Sequence, residues 1–374
     1  MGGPLAIVGF LALILLVVIP IHELGHLLVA KRFGFKIQEY FVGFGPRLWS
    51  MRRGETEYGI KAIPAGGYVK IAGMNPYETV APDDVARAYG SKPIWQRALV
   101  ILAGPLSHFL VGALLYIALY TAYGDPNTEV VVVGEVAQTL DGRASPAAEA
   151  GLRVGDVVVR VGDLEDPTPD SLGRYVTRFA RDNPGEPLTY VIERDGRARS
   201  LAIVPRLVTE DDVTKGRIGF TLGAERLSVP ESAVVAGEWV GKAAWNSVTT
   251  IPKVFTVGVG RTFSVLFTDE PRRGDDVTSL VGVSRQIGSA GESGDWGLFL
   301  GFAAYVTIFI GVVNLIPLPP LDGGHLLLLA WEKLTGRQAD YRKLVPVSAA
   351  VIVFLSIFAL ATVFLDITEP LPLI

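Results

Sequence analysis

"LALILLVVIPIHELGHLLVAKRFG", residues 11–34, sets His22, Glu23 and His26 inside a run that is otherwise almost wholly apolar. Ionisable groups at bilayer depth are costly, so such a helix must satisfy them from within the protein. A cation in a wet cavity, walled off from lipid by neighbouring helices, would do so. The stretch is too long for the apolar core of a secretory signal and lacks a basic leader. Lys31 and Arg32 follow it with no small-residue cleavage site, so it reads as a retained membrane span.

The rest of the chain agrees with a membrane protein that carries a sizeable aqueous part. Of 374 residues 49 % are hydrophobic and 19 % charged, the latter below the usual quarter. Mean hydropathy is +0.38. Segments near 5–30, 97–121, 299–331 and 344–366 each reach the roughly 20 residues that cross a bilayer. Between 31 and 97 there are 11 Lys/Arg against 6 Asp/Glu, and between 332 and 343 there are 4 against 2. Both basic stretches fall on one side of a four-span chain, which puts them in the cytoplasm and residues 122–298 outside. Expected divisions are 1–121 with the first two spans, 122–208, a linker over 209–298, and 299–374 with the last two spans.

"HELGH" at 22–26 is an H-E-x-x-H pattern. On a helix, positions i and i+4 lie about 40° apart in projection, so His22 and His26 present two imidazoles to one ion. Glu23 is offset by one residue, able to reach a water on that ion without ligating it. Zinc with three protein ligands keeps a fourth position for water and lowers its pKa to about 7. There are no cysteines and only four histidines, so the remaining ligand comes from a small pool. In "NLIPLPPLDGGH", residues 314–325, three prolines interrupt an apolar segment and Asp322 sits in the break. Irregular backbone at membrane depth is tolerated where it lines a cavity, and an aspartate there calls for a partner. His325 is an alternative ligand, or could orient Asp322.

In the external block, "VVVVGEVAQTL", "GLRVGDVVVRVGD" and "LTYVIERDGRARSLAIVP" read as strands. "DSLGRYVTRFARD" between them has Leu172, Tyr175, Val176 and Phe179 at helical spacing, and Asp195-Gly196 marks a hairpin turn. With "SPAAEAGLRVGD", residues 128–206 resemble a PDZ domain of the bacterial protease-associated type. Residues 231–267 suit an amphipathic helix on the membrane surface, or a plain helix packed on that domain. "EYGIKAIPAGGYVKIAG", residues 57–73, alternates apolar and polar residues about a Pro/Gly-rich centre, which suits two short strands.

"HELGH" in the first span with "NLIPLPPLDGG" in the third resembles the site-2 proteases, intramembrane zinc metalloproteases. "YFVGFGPRLWSMRRGETEYGIKAIPAGGYVKIAGMNP" at 40–76 extends the match, which looks most like actinobacterial members with one PDZ domain. The resemblance implies a polytopic α-helical membrane protein with four spans, a membrane-associated β-element at about 58–73, and an extracytoplasmic α+β PDZ-like domain. It implies one Zn2+ on His22, His26 and Asp322, with Glu23 as catalytic acid/base and His325 behind Asp322. Asn314 would hold the substrate backbone or oxyanion, and Gly66, Gly67, Tyr68 and Val69 would pair with an unwound substrate. The implied partner is a single-span membrane protein in the bilayer, such as an anti-sigma factor already trimmed by a site-1-type protease, or a remnant signal peptide. No nucleic-acid partner is expected. His108 departs from the family's G-P-x-x-N pattern, where asparagine is usual; it could hydrogen-bond within the bundle, compete for the metal or add pH sensitivity, and as a lone intramembrane histidine it reads as a buried structural donor and not as a ligand. The rival class is a non-catalytic PDZ-containing adaptor with a structural metal site.

Overall fold

The computed structural model describes residues 2–371 apart from 76, 126–129, 211–212, 269, 275, 280, 286–295 and 338–340. Part of the expected 209–298 linker therefore lies outside the described residues. Among the described residues four helices are long and apolar enough to cross a membrane: Val8–Arg32, Ile94–Ala122, Trp296–Asn314 and Arg342–Thr368. The chain divides into two compact units, one of Met1–Ile117 with Ala233–Ile374, the other of Ala118–Ser232.

The first span is one helix in three sections, α1 (Gly2–Leu13), a π-turn (Ile14–Val18) and α2 (Ile19–Arg32). Pro20 at the start of α2 cannot donate to Leu16, and its ring crowds that carbonyl; the wider turn ends just before it. The third span is shorter than the expected 299–331. It stops at Asn314, the Pro-rich stretch turns the chain, and a separate helix runs over Asp322–Thr335. Hydropathy alone joined the two because leucines follow the break. A Cβ at Gly323 would lie 2.2 Å from the carbonyl oxygens of Leu315 and Ile316, so only glycine lets the second helix start against the end of the first. Phe10, Ile14 and Val18 of the first span pack with Ala303 and Val306 of the third.

Between the first two spans, β1 (Ile37–Arg53) and β2 (Thr56–Ile71) form a sheet whose hairpin turn is at Gly54-Glu55. This corrects the expected pairing within 57–73. Residues 57–60 and 67–70 do not pair with each other across the Pro/Gly bend; they flank residues 39–42 on opposite sides. Pro64, Ala65 and Gly66 have no register partner, so they bend the strand instead of closing a turn. Segment 67–71 is left at the edge of this sheet among the described residues. Leu27 and Ala30 of α2, Ile37 and Ile71 of the sheet, and Val100 and Ile101 of the second span share one core.

In the other unit, strands Phe220–Gly223, Val131–Val136, Val157–Val161, Leu188–Arg194 and Arg197–Ile203 form a sheet in that order. Helix Pro169–Asp182 packs on the core through Leu172 and Val176, with Tyr175 and Phe179 partly buried beside them. Thr168 and Ser171 form a capping box at its start. Asp195 and Gly196, both at positive φ, make the hairpin turn. The unit runs past residue 208, because Phe220–Gly223 pairs with Val131–Val136 and Gly216 donates its N–H to Thr177 Oγ1. Residues 229–267 are helical over Val229–Lys253 and Val259–Phe267, joined by a π-turn.

Candidate active site

α2 and the helix 322–335 bring three side chains to one point. His22 Nε2 lies 3.2 Å and His26 Nε2 3.5 Å from Asp322 Oδ2. The two Nε2 atoms are 3.1 Å apart. Ligand atoms at zinc's bond lengths, set tetrahedrally, lie about 3.3 Å from one another. The observed triangle has that size. Asp322 Oδ2 is buried with no hydrogen-bond partner among the described residues, as expected of a lone pair turned toward a cation. This donor set of two imidazoles and one carboxylate fits zinc with one position left open.

The second span supplies the frame. His26 Nδ1 and the Val100 carbonyl are 2.8 Å apart, which makes Nδ1 the donor and leaves the Nε2 lone pair facing inward. One turn on, Gly104 faces both imidazoles: a Cβ there would lie 2.3 Å from His26 Nε2 and 2.7 Å from His22 Cε1. Neither Val100 nor Gly104 was among the residues expected from sequence, and a glycine in an apolar helix gives no local sign of what it faces.

Glu23 stands beside the triangle and lines the same cavity as Tyr68 and Val69 of edge segment 67–71. Gly67 borders it, the position of its absent Cβ being 3.3 Å from Glu23 Cγ. A cavity of about 280 Å³ is lined by His22, Glu23, His26, Asp322, Asn314, Tyr68 and Val69, among others. The structure thus gathers seven of the ten expected site residues around one space. Gly66 sits against Phe44 at the bend, Gly67 borders Glu23, and His325 is one turn along the helix from Asp322, outside the converging set. His108 is fully buried, its ring centroid 4.9 Å from that of His22, and is not part of the set.

A further pair fixes the helix that carries Asp322. Arg97 makes a two-pronged contact with Glu332, at 2.9 and 2.7 Å, where the side chains are 5 % and 12 % exposed. These residues are 235 apart in sequence, and each alone reads as an ordinary charge at a helix end. Arg97→Met leaves a buried carboxylate uncompensated and is expected to destabilise the folded protein by about 3–5 kcal/mol. Denaturant unfolding in detergent measures it; a loss below about 1 kcal/mol would mean that the pair is solvated.

Comparison with known proteins leads to the same chemistry. A family model described as Peptidase family M50 matches residues 10–359. Zinc metalloprotease Rip1 of Mycobacterium tuberculosis is 35 % identical over 405 aligned positions, covering 97 % of this chain and 97 % of that one. A putative zinc metalloprotease of Rhizobium meliloti is 32 % identical, with 88 % and 87 % covered. Metalloprotease MmpA of Caulobacter vibrioides is 28 % identical, with 90 % and 89 % covered. Apolar helices, a donor set suited to zinc and a family match over nearly the whole length lead to one statement: this chain belongs to the M50 peptidases, the site-2 protease family of zinc metalloendopeptidases in membranes.

Proposed function

We propose that the protein cleaves a peptide bond within or near the membrane-spanning segment of single-span membrane proteins, with an anti-sigma factor trimmed by an upstream protease as the leading substrate and a remnant signal peptide as the second. The observation that carries this reading is the meeting of His22, His26, Asp322 and Glu23 in one cavity beside a sheet edge. His22, His26 and Asp322 would hold one zinc ion. When bound, zinc polarises the scissile carbonyl and acidifies the attacking water.

The chain's own groups do the rest. A helical substrate hides its peptide bonds, so it must be extended before hydrolysis. Edge segment 67–71 offers backbone donors and acceptors for an added strand, holding that extended form next to Glu23. Glu23 takes the proton of the attacking water and passes it to the leaving amine. Gly67 of that edge, its Cβ position 3.3 Å from Glu23 Cγ, keeps the carboxylate beside the added strand. Asn314, which lines the same cavity, donates its side-chain amide to the substrate backbone or oxyanion.

The 118–232 unit would be the PDZ-like domain, outside the cytoplasmic membrane, excluding bulky ectodomains, reading new C-termini, or both. The active site would lie toward the cytoplasmic side, and the helical 229–267 stretch on the outer membrane surface. The test uses purified protein in detergent with a single-span reporter. Mass spectrometry is expected to map the cut inside the reporter's apolar segment. Cleavage should disappear with a chelator and return when zinc is added. A cut confined to the reporter's soluble flanks would overturn the reading.

A further inference from the structure

The 118–232 unit is acidic, with 19 Asp/Glu against 13 Lys/Arg, yet five of those cations face one concavity. Arg174, Arg178, Arg181, Lys215 and Arg217 line a cavity of about 620 Å³ between helix Pro169–Asp182 and strand Val213–Arg217; Asp170 and Asp182 are the acids on its wall. Arg174, Arg178 and Arg181 share one helix face, three and four residues apart. The walls are tied together: Arg181 donates to the Thr214 carbonyl and Gly216 N–H to Thr177 Oγ1. The concavity is therefore preformed.

It continues into a second cavity of about 360 Å³, which shares Pro169, Gly173, Gly216 and Arg217 with it. The lining there is apolar, with Leu172, Val176, Phe220 and Leu222. Strand Phe220–Gly223 ends the sheet, pairing with Val131–Val136 alone among the described residues. One continuous surface thus offers a strand edge, apolar recesses and a block of positive charge.

We infer that this surface binds an extended peptide rich in Asp and Glu, such as an acidic stretch beside the span of a membrane-protein substrate. The inference deepens the substrate-reading role proposed above for this unit and rests on that reading. An added strand needs amide donors and acceptors along its length, which a peptide supplies and a lipid headgroup or nucleic-acid backbone does not. Apolar side chains on one face of that strand enter the recess by Leu172 and Phe220. Acidic side chains at its far end reach the arginines. The unit's remaining negative charge repels an acidic peptide everywhere else, so location and selectivity come from the same contrast.

The experiment uses the full chain in nanodiscs of uncharged lipid. A fluorescein-labelled ten-residue peptide alternating Glu with Val or Leu is titrated, beside its counterpart with Lys for Glu. Fluorescence anisotropy is expected to show binding of the acidic peptide alone, weakening as salt rises. The double variant Arg174→Glu/Arg178→Glu, at exposed positions, should lose about tenfold or more in affinity for it and gain affinity for the Lys peptide. Equal binding of both peptides, or unchanged affinity in the variant, would overturn the inference. So would binding to phosphatidylglycerol vesicles that the peptide does not displace, which would make the patch a lipid site. Cleavage of a short reporter without an acidic stretch should be the same in variant and wild type, so failure here is separable from failure of the proteolytic reading.

Discussion

Glu23→Gln is expected to retain zinc at about one equivalent while cleavage of a single-span reporter falls by about 10²–10⁴-fold, the range for losing a positioned acid/base. That is about 3–5 kcal/mol of transition-state stabilisation. Glutamine keeps the volume of the side chain, so its packing beside Gly67 persists. What it lacks is a group that can accept and return a proton. The two readouts separate causes. Loss of zinc together with activity would make Glu23 part of the metal's binding environment, and activity within a few fold of wild type would remove it from the reaction. KM is expected to stay close to wild type, because the strand addition proposed for 67–71 does not involve this carboxylate's proton.

How much of this was legible depends on the range over which each feature is encoded. The i,i+4 spacing of His22 and His26 is local, and helix geometry alone brings the two imidazoles together. Asp322 was legible for a different reason: an acid among prolines at membrane depth is so unfavourable unpaired that its partner could be guessed. The sheet was half legible. Alternation around Pro64 identified two strands, but which strand each meets is set by residues 39–42, far outside the stretch being read. The third span was overestimated because hydropathy does not register that Pro317, Pro319 and Pro320 turn the chain away from the helix axis. The supports behind the site were not legible. The Val100 carbonyl has no side-chain signature, and Arg97 meets Glu332 only after the second span and the helix 322–335 are side by side.

Gly104→Ala adds a single methyl group and is expected to disable the site while changing the stability of the fold by only about 1–2 kcal/mol, the helix-propensity gain offsetting part of the overpacking cost. In helix terms the change is favourable, since alanine is better than glycine in a helix interior by about 1 kcal/mol. The methyl, however, would be 2.3 Å from His26 Nε2, 2.4 Å from His26 Cε1 and 2.7 Å from His22 Cε1. Ordinary carbon contacts begin at about 3.5 Å, so the rings or the helix must shift by about an ångström. His26 cannot swing aside freely, because its Nδ1 is held by the Val100 carbonyl on the same helix as the new methyl. Displacement therefore falls on the Nε2 atoms, the ones that close on Asp322 Oδ2. Zinc affinity is expected to drop by at least 10–100-fold, as when a ligand loses its support. Cleavage at saturating zinc should fall by about 10²-fold, the scale for an ångström of misplacement. Zinc competition with a chelator and denaturant unfolding of the zinc-free protein, measured on the same preparation, give a large loss of affinity beside a small change in stability if this is right. A variant that loses stability in step with metal affinity would show that Gly104 is needed for helix packing alone, and one that keeps wild-type zinc affinity would place the imidazoles farther from the second span than the structure does.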